Sequence, residues 1–189
     1  MSLKNSSSIL NTIQQFGNFS SDELHAFENQ CFDLQVRKND FLLEENQVSQ
    51  TVYFIENGTF RSYFLNKENE ENTTGLFIGK DWVFDAQSFT SQKPSRNFIQ
   101  ATENSSVIGI HMEAVHELIT QSQQFFALGK ILELNASENL FNLQGTPEEK
   151  YRSLLQKKPA LILKFPLKFI ASYLGITPET LSRVRKRIN

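Results

Sequence analysis

The chain is predicted to be α+β, with a β-roll or jelly roll in its N-terminal part, a long central helix and a C-terminal helix-turn-helix. Three observations carry this. Short β-rich runs recur from about Val36 to Ile110 with turn residues and no helical pattern between them, as in a sandwich, barrel or jelly roll. Apolar residues then repeat every three or four positions from about Ser122 to Gln144, the period of one long helix. Finally, residues 166–189 read PLKFIASYLGITPETLSRVRKRIN, two short helical patterns hinged on a glycine.

Taken in order, residues 9–34 read as helical. Ile9, Ile13 and Phe16 space one apolar face, and Ser20 or Ser21 starts a second short helix carrying Leu24 and Phe27. Strands are expected at Asp40–Leu43, Thr51–Glu56, Thr59–Leu65, Thr73–Ile78, Asn97–Ala101 and Val107–Ile110. Asn57-Gly58 between two aromatic-rich runs reads as a hairpin turn, since both residues tolerate positive φ. Lys67–Asn72 is a polar, charged loop. Seventeen Phe in the chain can supply the core, and Trp82 and Phe84 read as part of it. Helical spacing returns at Met112, with a short helix over Glu113–Ile119. The long helix that follows carries Phe125, Leu128, Leu132, Leu140 and Leu143 on one stripe, with Ala136 in step. Gly145 looks like a helix terminator and Thr146-Pro147-Glu148-Glu149 like a new helix start. The expected division is therefore 1–121, 122–145 and 146–189.

The terminal pattern is a helix-turn-helix by residue type and spacing. Ala171 is small where the second helix crosses the first, and Gly175 stands four residues on, where the turn needs positive φ. Ile170, Leu174, Ile176, Leu181 and Val184 fall on the faces that share a small core. Thr177 can cap the second helix, Pro178 suits its first position, and Glu179 suits the positive end of its dipole. Leu181, Val184 and Ile188 make the buried face; Glu179, Arg183 and Lys186 make the other.

Charge points the same way. Residues 150–189 hold ten Lys or Arg and a single acid, Glu179, which leaves nine basic and twenty acidic residues in 1–149. A basic block can be only a solvated helix face. Here it coincides with a helix-turn-helix and an acidic body that would repel phosphate, so duplex DNA is the expected partner. Such proteins usually read two half-sites, which favours the central stripe as a homodimer seam; packing back onto the strands is the other reading. With no run of 18 apolar residues and no signal pattern, a cytoplasmic chain without a membrane partner is expected. Cys31 is the one cysteine, which rules out an internal disulfide and an iron–sulfur cluster held by this chain's own thiolates. It reads as a small core residue.

A β-roll, a long helix and a C-terminal helix-turn-helix together resemble the Crp/Fnr superfamily of bacterial transcription regulators over nearly the whole chain. The most specific segments are Val52–Gly58 (VYFIENG), similar to the family's Tyr-x-Ile-x-x-Gly strand and turn, and Ile170–Arg187. The resemblance places Thr177, Glu179, Thr180, Arg183 and Lys186 at DNA. Glu179 and Arg183 match a base-reading pair, since a carboxylate accepts from cytosine N4 and a guanidinium forks onto guanine O6 and N7. Thr177, Thr180, Lys168 and Lys186 would hold phosphates. RNA polymerase is a further partner by resemblance. Two features depart from better-known members. Pro178 stands where they carry a base-reading Arg, so the operator should differ, and a short form with no C-terminal wing is expected.

Family members that bind cyclic nucleotides carry Gly-Glu after one strand and Arg-Ser or Arg-Thr opening the next. The corresponding stretch here, GKDWVFDAQSFTSQKPSRNFIQA over 79–101, has no Gly-Glu. Counting back from Ala101 puts Ser95 at the family's Arg position and Arg96 one residue late, where strand alternation would aim it away. Cyclic AMP is therefore not the expected effector, unless a bulge restores the register of Arg96. Any small-molecule effector is unknown, with Asp85, Gln87, Ser88, Ser95 and Arg96 as the candidate pocket; the alternative is that they satisfy turn backbone and solvent. A cupin-like metal enzyme would need clustered His and carboxylates in the barrel, and no His occurs from Val36 to Ile110. With no phosphate loop or Ser/His/Asp arrangement either, neither catalysis nor a metal cofactor is expected. A non-DNA interaction module with a basic tail is the other alternative.

Overall fold

The computed structural model describes residues 7–139 and 145–188. Helices α1 (Ser7–Ile13) and α2 (Ser21–Gln30) come first. Ser20 starts α2 with a reciprocal cap, accepting from the Glu23 N–H while the Glu23 carboxylate accepts from the Ser20 N–H. The helix ends at Gln30, four residues short of the sequence expectation, because Cys31–Val36 is strand β1. Only Cys31 and Val36 of β1 are buried, so no alternation marks it. Pairing with β8 (Ser105–His111) makes it a strand.

Two four-stranded antiparallel sheets build the roll. One has the order β1-β8-β3-β6 and the other β2-β7-β4-β5. Their strands are β2 (Phe41–Leu43), β3 (Thr51–Asn57), β4 (Thr59–Leu65), β5 (Glu71–Ile78), β6 (Trp82–Val83) and β7 (Phe98–Ala101). The first sheet is covered on both faces, and the alternation of its side chains shows how. On β3 and β8, Val52, Phe54, Ile108 and Ile110 point to the helices, where Ile9, Ile13, Phe27 and Leu118 pack. Ile55 and Val107 point the other way and meet Phe60, Phe77 and Ile99 of the second sheet.

Asn57-Gly58 is not a hairpin turn. β3 and β4 belong to different sheets, so these residues turn a corner between them. Gly58 has φ +104, and a Cβ there would lie 2.8 Å from the Ser105 Cα; close approach at the corner, not a tight turn, is what demands glycine. The hairpin proper is β4–β5, turned in the polar loop.

After α3 (Ala86–Ser91) and α4 (Met112–Gln121), the expected single long helix starts late. Gln123–Gly129 is 3₁₀, and α5 covers Lys130–Asn139. Phe125, Leu128 and Ile131 are buried in the roll's own core, and Leu132 is half-buried against it. The first half of the stripe thus packs back on the chain, and the 3₁₀ turn is what bends it there. Leu140 and Leu143 lie outside the described residues. No described helix is long and apolar enough to cross a membrane.

Candidate nucleic-acid interface

Four helices form the C-terminal head: α6 (Pro147–Lys157), α7 (Pro159–Lys164), α8 (Leu167–Tyr173) and α9 (Pro178–Ile188). Gly145 has φ +105, and Thr146, Pro147 and Glu149 start α6 with a capping box, as their order in the chain indicates. Tyr151, Leu154, Leu161, Phe165, Ile170, Ala171, Leu174, Leu181 and Val184 close a separate core, which Leu76 of β5 joins. Ala171 is fully buried at the helix crossing. Gly175 makes the turn at φ +65; a Cβ would meet only Lys150 Nζ, at 3.8 Å, so the backbone conformation is what requires glycine there. Lys150 Nζ donates to the Leu174 C=O at 3.0 Å, satisfying an otherwise open carbonyl at the end of α8.

This packing turns the other side of α9 to solvent. Glu179, Arg183 and Lys186 are exposed and Thr180 half-exposed. Thr177 Oγ1 accepts from the Thr180 N–H at 3.2 Å and lies 3.1 Å from Thr180 Oγ1, so the two hydroxyls are engaged at the helix cap. The Glu179 carboxyl is held below its usual range by its own backbone N–H and then by the Thr177 hydroxyl; it curls over the helix N-terminus. Arg183 borders a shallow groove between α9 and the start of α6, beside Thr180 and Arg187. Lys168 lies apart, on α8, with Nζ 4.9 Å from the Phe169 ring centre. Part of the basic surplus is already paired inside the chain: Arg187 donates to Glu148 at 2.9 Å, and Lys158 lies 3.9 Å from Asp81.

The candidate effector residues divide. Asp85 caps α3 through the Ser88 N–H (3.0 Å) and accepts from the Ser95 hydroxyl (2.6 Å) and the Asn97 amide (2.9 Å). Burial alone would raise its carboxyl, but these bonds, with one from the Gln87 N–H, outweigh burial and lower it. Ser88 is buried, accepting from the Ser49 N–H and donating to the Lys93 C=O. Ser88 and Ser95 are thus turn-builders. Asp85, Gln87 and Arg96 line a cavity of about 430 Å³. Arg96 reaches it despite the register slip, because β7 begins only at Phe98 and residues 92–97 are irregular, so strand alternation does not govern its direction. Its guanidinium lies 5.6 Å from the Phe64 ring centre. The opposite wall comes from the head, through Lys150, Ser172 and Tyr173. Sequence spacing gives no sign of that wall, since nothing in it shows α8 docking on β5.

A second cavity of similar size, about 430 Å³, is almost wholly apolar and is bounded by α4, the 3₁₀ turn and α5. Phe126 stands at its rim, 66% exposed.

Comparison with known proteins agrees with this architecture. Residues 33–122 match the cyclic nucleotide-binding domain family. The chain is 29% identical to the fumarate and nitrate reduction regulatory protein of Yersinia pestis, over 80% of this chain and 66% of that protein. It is 25% identical to the anaerobic regulatory protein of Haemophilus influenzae, over 80% and 65%. It therefore spans just under two thirds of the length of these relatives. The fold matches that of FixK2 from Bradyrhizobium japonicum with TM-score 0.70 at 20% identity, covering 84% of each chain. With a roll of the cyclic nucleotide-binding type joined to a helix-turn-helix head, and with these relatives, the chain is similar to regulators of the Crp/Fnr type in sequence and in fold.

Proposed function

We propose that this protein is a DNA-binding transcription regulator that reads a palindromic operator as a homodimer. Residues 1–121 would sense an effector, 122–145 assemble the dimer and 146–189 read DNA, with RNA polymerase as a partner at the promoter. The observation that carries the reading is the exposed face of α9: Glu179, Thr180, Arg183 and Lys186 stand on a helix whose opposite face is locked by Leu181 and Val184 into the head core. A helix so held presents its N-terminal half to a major groove, and a dimer would place a second copy about 34–36 Å away, one turn of duplex. Glu179 must uncurl from its cap to reach a base. Arg183 carries the discriminating contact, while Thr177, Thr180, Lys168 and Lys186 hold phosphates. The cavity takes an effector other than cyclic AMP. Arg96 reaches the cavity, but residues 79–101 hold no Gly-Glu to take a ribose hydroxyl, and that absence argues against cyclic AMP.

Genome-wide mapping of binding sites gives the operator, and two variants then test the division of labour. Arg183→Ala should cost about 1–3 kcal/mol on the operator and relax preference at one base pair per half-site. Lys186→Ala should weaken binding to every sequence and flatten the log–log salt slope by about 0.9 for each phosphate it no longer neutralises. Equal losses for Arg183→Ala on operator and scrambled duplex, with a reduced salt slope, would make Arg183 a phosphate contact and refute its assignment as the base reader.

A further inference from the structure

The second sheet ends on β5, whose outer backbone groups pair with no other described strand. An open edge of this kind is normally covered, and here the head covers it. Ser172 Oγ of α8 accepts from the Thr73 N–H at 2.9 Å and donates to the Glu71 C=O at 3.3 Å, serving both groups as a neighbouring strand would. Beside it, the Arg61 guanidinium lies between two rings, Tyr63 at 4.1 Å and Phe169 of α8 at 4.3 Å. The same guanidinium forks onto Glu71 at 2.5 and 3.1 Å. The Thr73 hydroxyl is buried there without a hydrogen-bond partner, which weakens the docked arrangement.

We propose that this contact is an autoinhibitory latch, in which α8 is docked on the β5 edge and Glu71 stands beside Lys168 in place of a DNA phosphate. Lys168 and Phe169 are neighbours, and Phe169 is the ring that closes over Arg61. Lys168 Nζ and the Arg61 guanidinium lie 4.9 and 4.3 Å from the centre of the same Phe169 ring, and Arg61 is forked onto Glu71, which brings the Lys168 charge into the neighbourhood of that carboxylate. Docking also holds the basic head against an acidic body, residues 1–149 carrying twenty acids to nine bases, and a phosphate backbone approaching α8 is repelled by it. Freeing α8 from the edge removes the carboxylate from Lys168 and moves the head away from that field. Thr73 and Ser172 also line the cavity that holds Arg96, so a molecule seated there touches the latch itself. The inhibitory consequence rests on the DNA-binding reading; the docking does not.

Two variants of the full chain test it. Ser172→Ala removes both hydrogen bonds to the edge and leaves the head core intact. Glu71→Gln keeps an acceptor for Arg61 but removes the competing charge, at a side chain 44% exposed, so it serves even if the first variant folds poorly. Amide exchange at Thr73 and affinity for a random-sequence duplex at low salt are measured together; that probe reads phosphate binding without needing the operator. The latch predicts faster Thr73 exchange in Ser172→Ala and duplex binding about two- to tenfold tighter in both variants. Unchanged exchange would overturn the docking, and faster exchange with unchanged or weaker duplex binding would overturn the inhibition. If wild type and both variants bind no duplex at any salt, the DNA-binding reading itself fails, and exchange still reports whether α8 is docked.

Discussion

Arg61→Met should lower the stability of this protein by about 2–4 kcal/mol. Arg61 is 5% exposed yet carries a charge. Its fork onto Glu71 is joined by bonds from Nε and Nη2 to Gln100 Oε1, at 3.2 and 2.8 Å. Hydrogen bonds to a charged group contribute about 1.5–3 kcal/mol, and desolvated cation–π contacts about 0.5–2 kcal/mol. The loss stays below the roughly 3–5 kcal/mol of breaking a fully buried pair, because Glu71 is 44% exposed on its side chain and water can take over its carboxylate. Methionine keeps the volume and part of the apolar packing against Tyr63 and Phe169. For a chain of this size, each kcal/mol moves the melting temperature by about 2–4 °C, so thermal unfolding should fall by about 4–16 °C. Arg61→Lys should recover less than half of this, since an ammonium neither forks onto the carboxylate nor stacks between rings. Thermal unfolding followed by circular dichroism and calorimetry measures both. A fall under about 2 °C in Arg61→Met would mean that the desolvation of this guanidinium cancels everything it touches, and the reasoning would be wrong.

Other outcomes follow from particular side chains. Phe126 is 66% exposed at the rim of the apolar cavity, so Phe126→Glu should convert the proposed homodimer to monomer in light scattering and remove the dependence of the melting temperature on protein concentration; a variant that stays dimeric places the seam elsewhere. Burial pushes the Cys31 thiol up to about 12, with Glu28 and Asp33 adding to it. At pH 8 only about one thiol in ten thousand is then thiolate, so Cys31 should resist a disulfide reagent until the protein is denatured, and rapid labelling of the native protein would contradict that burial. Asp85 is held below its unfolded value, so its stabilisation is complete above about pH 3.9 and lost as pH falls through the folded value. Asp85→Asn should be less stable than wild type at neutral pH and show a flatter stability profile in acid; parallel profiles would remove Asp85 from the acid response.

How much was legible in the sequence depended on the range of the forces involved. The helix-turn-helix and the start of α6 are legible almost residue by residue, whereas α7 and the core residues Tyr151, Leu154, Leu161 and Phe165 are not. Thr146 and Thr177 cap their helices, Gly175 turns between α8 and α9, and Ala171 and Leu181 meet in the core, because caps, turn glycines and helical spacing are local chemistry. The candidate pocket was half legible. Asp85, Gln87 and Arg96 line it, whereas Ser88 and Ser95 are spent on the turn, a choice made by hydrogen-bond partners brought in from Ser49, Lys93 and Asp85.

By itself, then, the sequence determined a strand-rich body, a helix-turn-helix with one face exposed, and the separation of acid from base along the chain. Only the tertiary structure decided that Cys31–Val36 is a strand, that Gly58 turns a corner between sheets, and that Phe125 and Leu128 fold back into the roll. It also decided that Arg61, an ordinary basic residue in the sequence, sits between Tyr63 and Phe169. Each of these depends on pairing or burial between residues far apart in the chain, and periodicity within a strand or helix holds no information about which distant surface will cover it.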